Sequence, residues 1–512
     1  MEELSFSREE STSSRGLEEK TVLTLAKGSL IGLVGRLLGR FLMLLYQILL
    51  ARSLGRDQYG LFSLGWSVLQ ISLYMGPVGI QQAILRFASP LWKKDDTGFR
   101  RVVQQALVMA ILSGLLLAGL LFAFSPLLAD FFRKPALTMV WRGVALTLLL
   151  SSTLRALSAI TRISRKVQFS ALVEDILLPF SMAVIALGVT VFWPGGLQGA
   201  LFSVIMGYVL MTALAWYFVR ALFPSVFASV DWQGTIFRAL SAFSLPASLV
   251  ALLNLLTQWL PRLILGYFRP EAEVGLYQAA FQVATLPALI LASTGPIFIP
   301  VIARLIGEKD FQQVNEVYKV TTKWTLYLSA PLMILMFFYP KTFMQLLFGA
   351  EYQQASLIFL ILLASQAVNA ATGSVFPLHL MLGYERRVLW LQGLTFAFTM
   401  LTSIWWSARW GTVGTALATT LGIALGNLLA LISIWKLGGY LPFDRRYWKG
   451  GVALGCSLFP VFGLSYLSPE NIWSLLLAGG LNILVFAGTL WMLGFDDEDK
   501  QLIHAVLRKI WR

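Results

Sequence analysis

A chain of 512 residues that is 57% hydrophobic and only 13% charged, with a mean hydropathy of +0.72, cannot hide its apolar surface inside one water-soluble core. Its net charge of +14 fits the cytoplasmic loops of a membrane protein better than a nucleic-acid surface, so no nucleic-acid partner is expected. The lone Cys456 excludes an intramolecular disulfide, and two distant histidines, His379 and His504, argue against zinc chemistry.

Residues 1–27 are polar and rich in glutamate, with no apolar signal core and no small-residue cleavage site. They predict a cytoplasmic tail ahead of an uncleaved first span. The apolar runs then predict about fourteen transmembrane helices, near 28–50, 60–85, 102–124, 136–159, 171–193, 197–218, 241–264, 275–302, 321–339, 354–378, 388–407, 412–435, 451–467 and 472–494. The first carries Arg36, Arg40 and Gln47, whose spacing puts them within about 40° on one helical face. Arg142 in the fourth reads as interfacial. Glu174 and Asp175 open the fifth, as ion-coupling carboxylates or as acids paired with Arg155 or Lys166. Residues 28–218 thus form a six-helix N-lobe. Residues 219–240 mix aromatic residues with Arg220, Asp231 and Arg238, as a cytoplasmic linker that lies in the interface or caps the bundle.

The second lobe spans 241–435. Its first helix carries Asn254, Gln258 and Arg262 on one side, with Pro261 predicting a kink. The next carries Gln278, Gln282 and Thr285. In the tenth helix Gln366, Asn369 and Gly373 form a polar face suited either to sugar hydroxyls or to helix–helix hydrogen bonds. Two further spans occupy 436–495. The tail, 496–512, sets Leu502, Ile503, Val506, Leu507 and Ile510 on one helical face beside Arg508 and Lys509, as a contact for anionic membrane lipid or a cap on the bundle.

Two patterns organise these spans. With both termini inside, about 29 Lys/Arg fall on the cytoplasmic side and about 7 on the outer side, which predicts an N-in, C-in topology. The chain also echoes itself 215 residues apart: Gly60-Leu61-Phe62 opens one helix and Gly275-Leu276-Tyr277 another. Polar residues then match, Ser63, Ser67 and Gln70 against Gln278, Gln282 and Thr285. Repeated membrane helices with polar stripes predict two lobes facing across a polar cavity. Arginine stays charged and grips phosphate oxygens in a bidentate fork. Arg36, Arg40 and Arg262 therefore predict a cavity for a phosphate or diphosphate. For Arg36 and Arg262, and less readily for the deeper Arg40, snorkelling to the membrane surfaces stays open.

The run from Ala51 to Phe62 resembles the linker after the first helix in Wzx-type polysaccharide (oligosaccharide) flippases of the multidrug/oligosaccharidyl-lipid/polysaccharide (MOP) exporter superfamily. The runs Pro261 to Tyr277, Leu347 to Tyr352 and Gly411 to Thr419 resemble later segments of the same family, in order. The likeness covers about residues 25–495. It implies a MATE-like, V-shaped pair of six-helix lobes with two extra C-terminal helices; the residues themselves suggest no cofactor. It also implies transport of undecaprenyl-diphosphate-linked oligosaccharide across a bacterial cytoplasmic membrane, alongside glycosyltransferases and a polysaccharide polymerase. A monomer is expected, because one chain holds both lobes.

Rival readings are a lipid II flippase, a multidrug exporter of organic cations, and a polytopic glycosyltransferase or polymerase. A cation cavity would want acids at depth, where this chain places arginines. No nucleophile–base pair, metal-ligand cluster or phosphate-cradling loop stands out, so no enzyme is expected.

Overall fold

A computed structural model describes the backbone of residues 2–75, 78–164, 167–192, 195–228, 237–445, 447–467 and 471–494. Within these stretches side-chain surroundings are described from Gly35 onward, except at 74–75, 78–79, 167, 237–251 and 296–297. The C-terminal tail expected at 496–512, and residues 229–236 of the expected linker, lie outside the described residues.

The protein is all-α, with no strand among the described residues. Its first half runs α1 (Glu2–Met75), α2 (Val78–Ala88), α3 (Asp96–Phe131), α4 (Leu137–Ile163), α5 (Val167–Ser170), a π-helical turn (Ala171–Leu177), α6 (Leu178–Phe192) and α7 (Gly196–Leu222). The second half runs α8 (Phe237–Phe268), α9 (Glu271–Ala284), α10 (Ala288–Gly307), α11 (Phe311–Phe338), α12 (Pro340–Phe348), α13 (Ser356–Thr372), α14 (Val375–Met381) and α15 (Glu385–Gly438). The hairpin α16 (Tyr447–Leu467) and α17 (Ile472–Met492) follows. Among the described residues, ten helices are long and apolar enough to cross a membrane, or eleven if α9 and α10, bent by 53° at their junction, make one broken span. Leu116, Leu127, Phe192 and Phe459 are among the apolar side chains left exposed. Such stripes belong against lipid, and the chain is a multi-pass membrane protein.

Two helices are too long for one crossing. At 1.5 Å per residue, the 54 residues of α15 span about 80 Å, against roughly 30 Å of hydrocarbon. Each is broken at one residue with positive φ, Gly55 in α1 (67°) and Gly411 in α15 (57°), a conformation open to glycine at little cost. The linker expected at 51–59 is therefore a kink, with helix on either side of Gly55. The tail expected at 1–27 continues the backbone of α1 from Glu2.

The repeat extends well beyond the stretch legible in the sequence. Asp95 caps α3 by accepting from the Gly98 N–H (2.9 Å), and Asp310, 215 residues on, caps α11 by accepting from the Gln313 N–H (3.0 Å). The positive-φ residues Gly196 and Gly411 keep the same interval. Where the halves meet, a Cβ on Gly60 would land on the carbonyl oxygen of Glu271, and one on Gly275 would land on that of Arg56. Residues 56 and 60 thus meet 271 and 275 reciprocally, the signature of an approximate two-fold axis. Backbones approach this closely only through small residues.

The hydrophobic interior follows that joint. One core runs from Tyr46, Leu50 and Tyr59 into Leu265, Tyr277, Phe348 and Tyr352, uniting both halves. A separate core around Phe298, Ile302, Tyr318, Leu378 and Ile434 belongs to the second half alone. The halves are fused at one end and distinct at the other. The α16–α17 hairpin packs on α11, where Asn482 donates to the Pro331 carbonyl (2.8 Å) and the Tyr327 hydroxyl accepts from the Gly450 N–H (3.1 Å).

Candidate functional site: a polar cavity between the halves

At the fused end, side chains tie one half to the other. Arg52 donates through Nε to the Leu347 carbonyl (2.8 Å) and through Nη2 to that of Leu346, the last carbonyls of α12, where a cation complements the helix dipole. Arg56 donates to Gln354 (3.1 Å), and the Tyr352 hydroxyl donates to the Ala51 carbonyl (3.1 Å). Lys134 donates to the Arg269 carbonyl (3.0 Å) and lies 3.5 Å from a Glu271 carboxylate oxygen. Together these contacts form a clamp.

Away from the clamp, a cavity of about 460 Å³ opens between the halves. Arg40 lines it from α1, about 22 Å along the helix from Gly55. Asn254, Thr257 and Gln258 line it from α8, Gln282 and Thr285 from α9, Gln366 and Asn369 from α13, and Gln392, Thr395 and Asn427 from α15. Among the described residues, seven carboxamides, one cation and no carboxylate make this lining. Amides both donate and accept, as polyhydroxylated ligands require, and the guanidinium favours an anion.

Six sequence-predicted residues thus come together: Arg40, Asn254, Gln258, Gln282, Gln366 and Asn369. Four do not line the cavity. Arg36 is exposed one helical turn before Arg40. Gln47 is buried and accepts from the Tyr59 hydroxyl (2.9 Å). Gln278 is buried and reaches Gln282 (3.5 Å).

Arg262 departs furthest from the expected open cationic stripe. It is fully buried, its guanidinium 4.2 Å from the ring centroids of both Trp259 and Phe281, and none of its three side-chain nitrogens has a hydrogen-bond partner among the described residues. Cation–π attraction holds it in place. Phe281 also lines the cavity, so it touches both the cavity and Arg262.

Glu174 and Asp175 lie on the π-helical turn, not at a helix start. Such turns recur at functional sites because they re-aim side chains. Glu174 accepts from Arg162 (2.9 Å) and lies in the field of Arg155, one of the two partners the sequence suggests. Lys166 lies outside the described residues. The Asp175 carbonyl packs where a Cβ on Gly39 would be, which brings its carboxylate into the field of Arg36 and Arg40.

Thr257, Gln392, Thr395 and Asn427 were not picked out from the sequence. For two of them a signal existed: Gln392, Thr395, Thr399, Ser403 and Ser407 recur at helical spacing and are all buried.

Two fused halves of repeated helices around an amide-rich cavity define a membrane-transporter fold, and comparison with known proteins gives it a class. Lipid II flippase MurJ in an inward closed conformation superposes with a TM-score of 0.75 at 14% identity, covering 91% of this chain and 98% of that one. An inward-facing multidrug resistance MATE family transporter of the MOP superfamily gives 0.62 at 15% identity, over 79% and 97%. The fold is that of the MOP superfamily. Residues 49–357 match the model of the polysaccharide biosynthesis protein family, and the chain belongs to that family. Teichuronic acid biosynthesis protein TuaB of Bacillus subtilis is 23% identical over 73% of this chain and 78% of its own length. The probable low-salt glycan biosynthesis flippase Agl15 of Haloferax volcanii is 22% identical over 33% of this chain, a match that spans only 36% of the archaeal protein.

Proposed function

We propose that the protein is a flippase of polysaccharide biosynthesis, carrying undecaprenyl-diphosphate-linked oligosaccharide from the inner to the outer leaflet of a bacterial cytoplasmic membrane. The observation that carries this reading is the cavity lining: seven carboxamides, one arginine and no acid. A diphosphate-sugar head cannot cross hydrocarbon unaided, and this lining offers hydrogen bonds to hydroxyls with a cation for phosphate, while the polyprenyl tail stays in lipid. The printed names of the two relatives, a glycan biosynthesis flippase and a teichuronic acid biosynthesis protein, support a glycan cargo. An organic cation would leave Arg40 repelling its own ligand.

The mechanism is alternating access. With the termini inside, the cavity faces the cytoplasm and the clamp closes the outer side. The head group enters between the halves, and Arg40 meets its diphosphate. Rocking of the halves then parts the clamp, the Gly60–Gly275 joint included, and opens the outer side. An inside-negative potential assists outward movement of an anion by about 2.3 kcal/mol per charge per 100 mV. Asp175 lies outside the cavity lining but in the field of Arg36 and Arg40, and with Glu174 it is the candidate for ion coupling.

The test is transbilayer movement of a fluorescent polyprenyl-diphosphate oligosaccharide in proteoliposomes, comparing the parent with Arg40→Ala at equal insertion. Movement that the variant loses supports the reading. Equal movement by both removes Arg40 from the site. Export of organic cations in its place overturns the cargo.

A further inference from the structure

A second opening, also about 460 Å³, lies at the clamped end between the α3–α4 turn and the α8–α9 turn. Its charged lining is Arg133, Lys134 and Arg269 against the single acid Glu271, and its apolar wall includes Phe132, Tyr267 and Phe268. The wall continues outward: the Tyr267 ring lies 4.8 Å from that of Phe131, tilted by 31°, and Phe131 is exposed at the end of a helix that also exposes Leu120, Phe124 and Leu127. Aromatic rings ending a lipid-facing helix mark the depth of the head groups.

Arg133 stands out within this lining. It follows α3 in the left-handed conformation (φ 55°), with its N–H bonded to the Asp130 carbonyl (2.9 Å) and the Lys134 N–H to that of Ala129 (3.0 Å). Glycine is the usual occupant of such a helix-ending position. Here a bulky residue holds it, and its exposed side chain has no hydrogen-bond or ion-pair partner among the described residues.

We propose that this cleft binds the phosphate head group of an anionic membrane lipid, with Arg133 and Lys134 on the phosphate and the aromatic wall toward the acyl chains. The inference does not depend on the transport reading. It has a consequence for the clamp: a phosphate on Lys134 competes with Glu271 and the Arg269 carbonyl, which belong to the other half. Lipid in the cleft therefore loosens one of the ties that hold the fused end shut.

The experiment follows binding of phosphatidylglycerol, phosphatidylcholine and inorganic diphosphate to the full chain in detergent, by native mass spectrometry and by shift of the melting temperature. Arg133→Gly is the test variant, because glycine suits the left-handed backbone and folding is spared. Lys309→Gly is the control, since it removes one positive charge from another left-handed helix end (φ 58°) outside the cleft. The parent is expected to prefer phosphatidylglycerol over phosphatidylcholine. Arg133→Gly should weaken that binding about fivefold, the value of one basic residue at an anionic head group, and Lys309→Gly should leave it unchanged. Displacement of the lipid by inorganic diphosphate would support the phosphate as the recognised group. Diphosphate binding without a preference for phosphatidylglycerol overturns the lipid source. Undiminished binding by Arg133→Gly, or equal loss in both glycine variants, overturns the site.

Discussion

Gly60, Asp95 and Gly196 of the first half reappear as Gly275, Asp310 and Gly411 of the second, each doing the same mechanical work: a close approach, a helix cap and a turn. The cavity keeps no such balance. The first half contributes Arg40, Met43 and Leu44, while every carboxamide of the lining comes from the second. At one matched position the halves even hold opposite chemistry, Gln47 bonded to Tyr59 and Arg262 caged without a polar partner. Two-fold mechanics with one-sided chemistry means that the repeat accounts for how the halves fit together and not for what the cavity is lined to hold.

The mechanical half of that comparison breaks most readily at the joint. Gly60→Ala and Gly275→Ala each place a methyl group on the other half's backbone, so both should lose at least about 2–3 kcal/mol in thermal or denaturant unfolding in detergent. Gly119→Ala meets nothing within 4 Å and should gain up to about 1 kcal/mol. Unequal damage at the two joint glycines would end the case for a shared axis. The chemical half is sharpened by Arg262→Met. A buried cation without a hydrogen-bond partner is expensive to hold, so this variant should be as stable as the parent or up to about 4 kcal/mol more stable. If Arg262 meets the anion after the cavity opens outward, transport in proteoliposomes should nevertheless fall about tenfold, roughly the value of one charge-assisted hydrogen bond. Lost stability with intact transport would make Arg262 a structural residue.

The caps probe the same symmetry more gently. Asp95→Ala and Asp310→Ala should each cost about 1 kcal/mol, and their equality is the point of the measurement. Both aspartates were present in the sequence at the interval already seen at Gly60 and Gly275, yet they sit in polar connections where hydropathy gives no reason to look. The cavity was legible where a polar side chain breaks an apolar helix, as at Arg40, Asn254, Gln258 and Gln366. Helical spacing names a face but not what covers it, so the burial of Arg262 under Phe281, 19 residues away, could not be read. The kink at Gly55 was hidden for a similar reason: Arg52, Arg56 and Asp57 look like a loop, whereas two of them are helical residues reaching across to α12 and the turn after it.

The smallest expected effect falls on the Lys134–Glu271 tie, which is partly exposed to solvent on both sides. Such pairs contribute about 0–1 kcal/mol, so Lys134→Met should barely move the unfolding midpoint. In the proposed alternating-access cycle, however, the tie exists only while the fused end is shut. Whatever it contributes enters the opening equilibrium undiluted, and 1 kcal/mol there is about a fivefold change in the open population. Spin labels or a cysteine pair across the clamp should therefore report more opening in Lys134→Met than in the parent at low salt. The difference should shrink as salt approaches about 1 M, where the screening length is about 3 Å. A difference that survives high salt would mean that the lysine acts through its hydrogen bond to the Arg269 carbonyl and not through its charge. No difference at any salt would leave the closed end to the glycine joint and the Arg52, Arg56 and Tyr352 contacts.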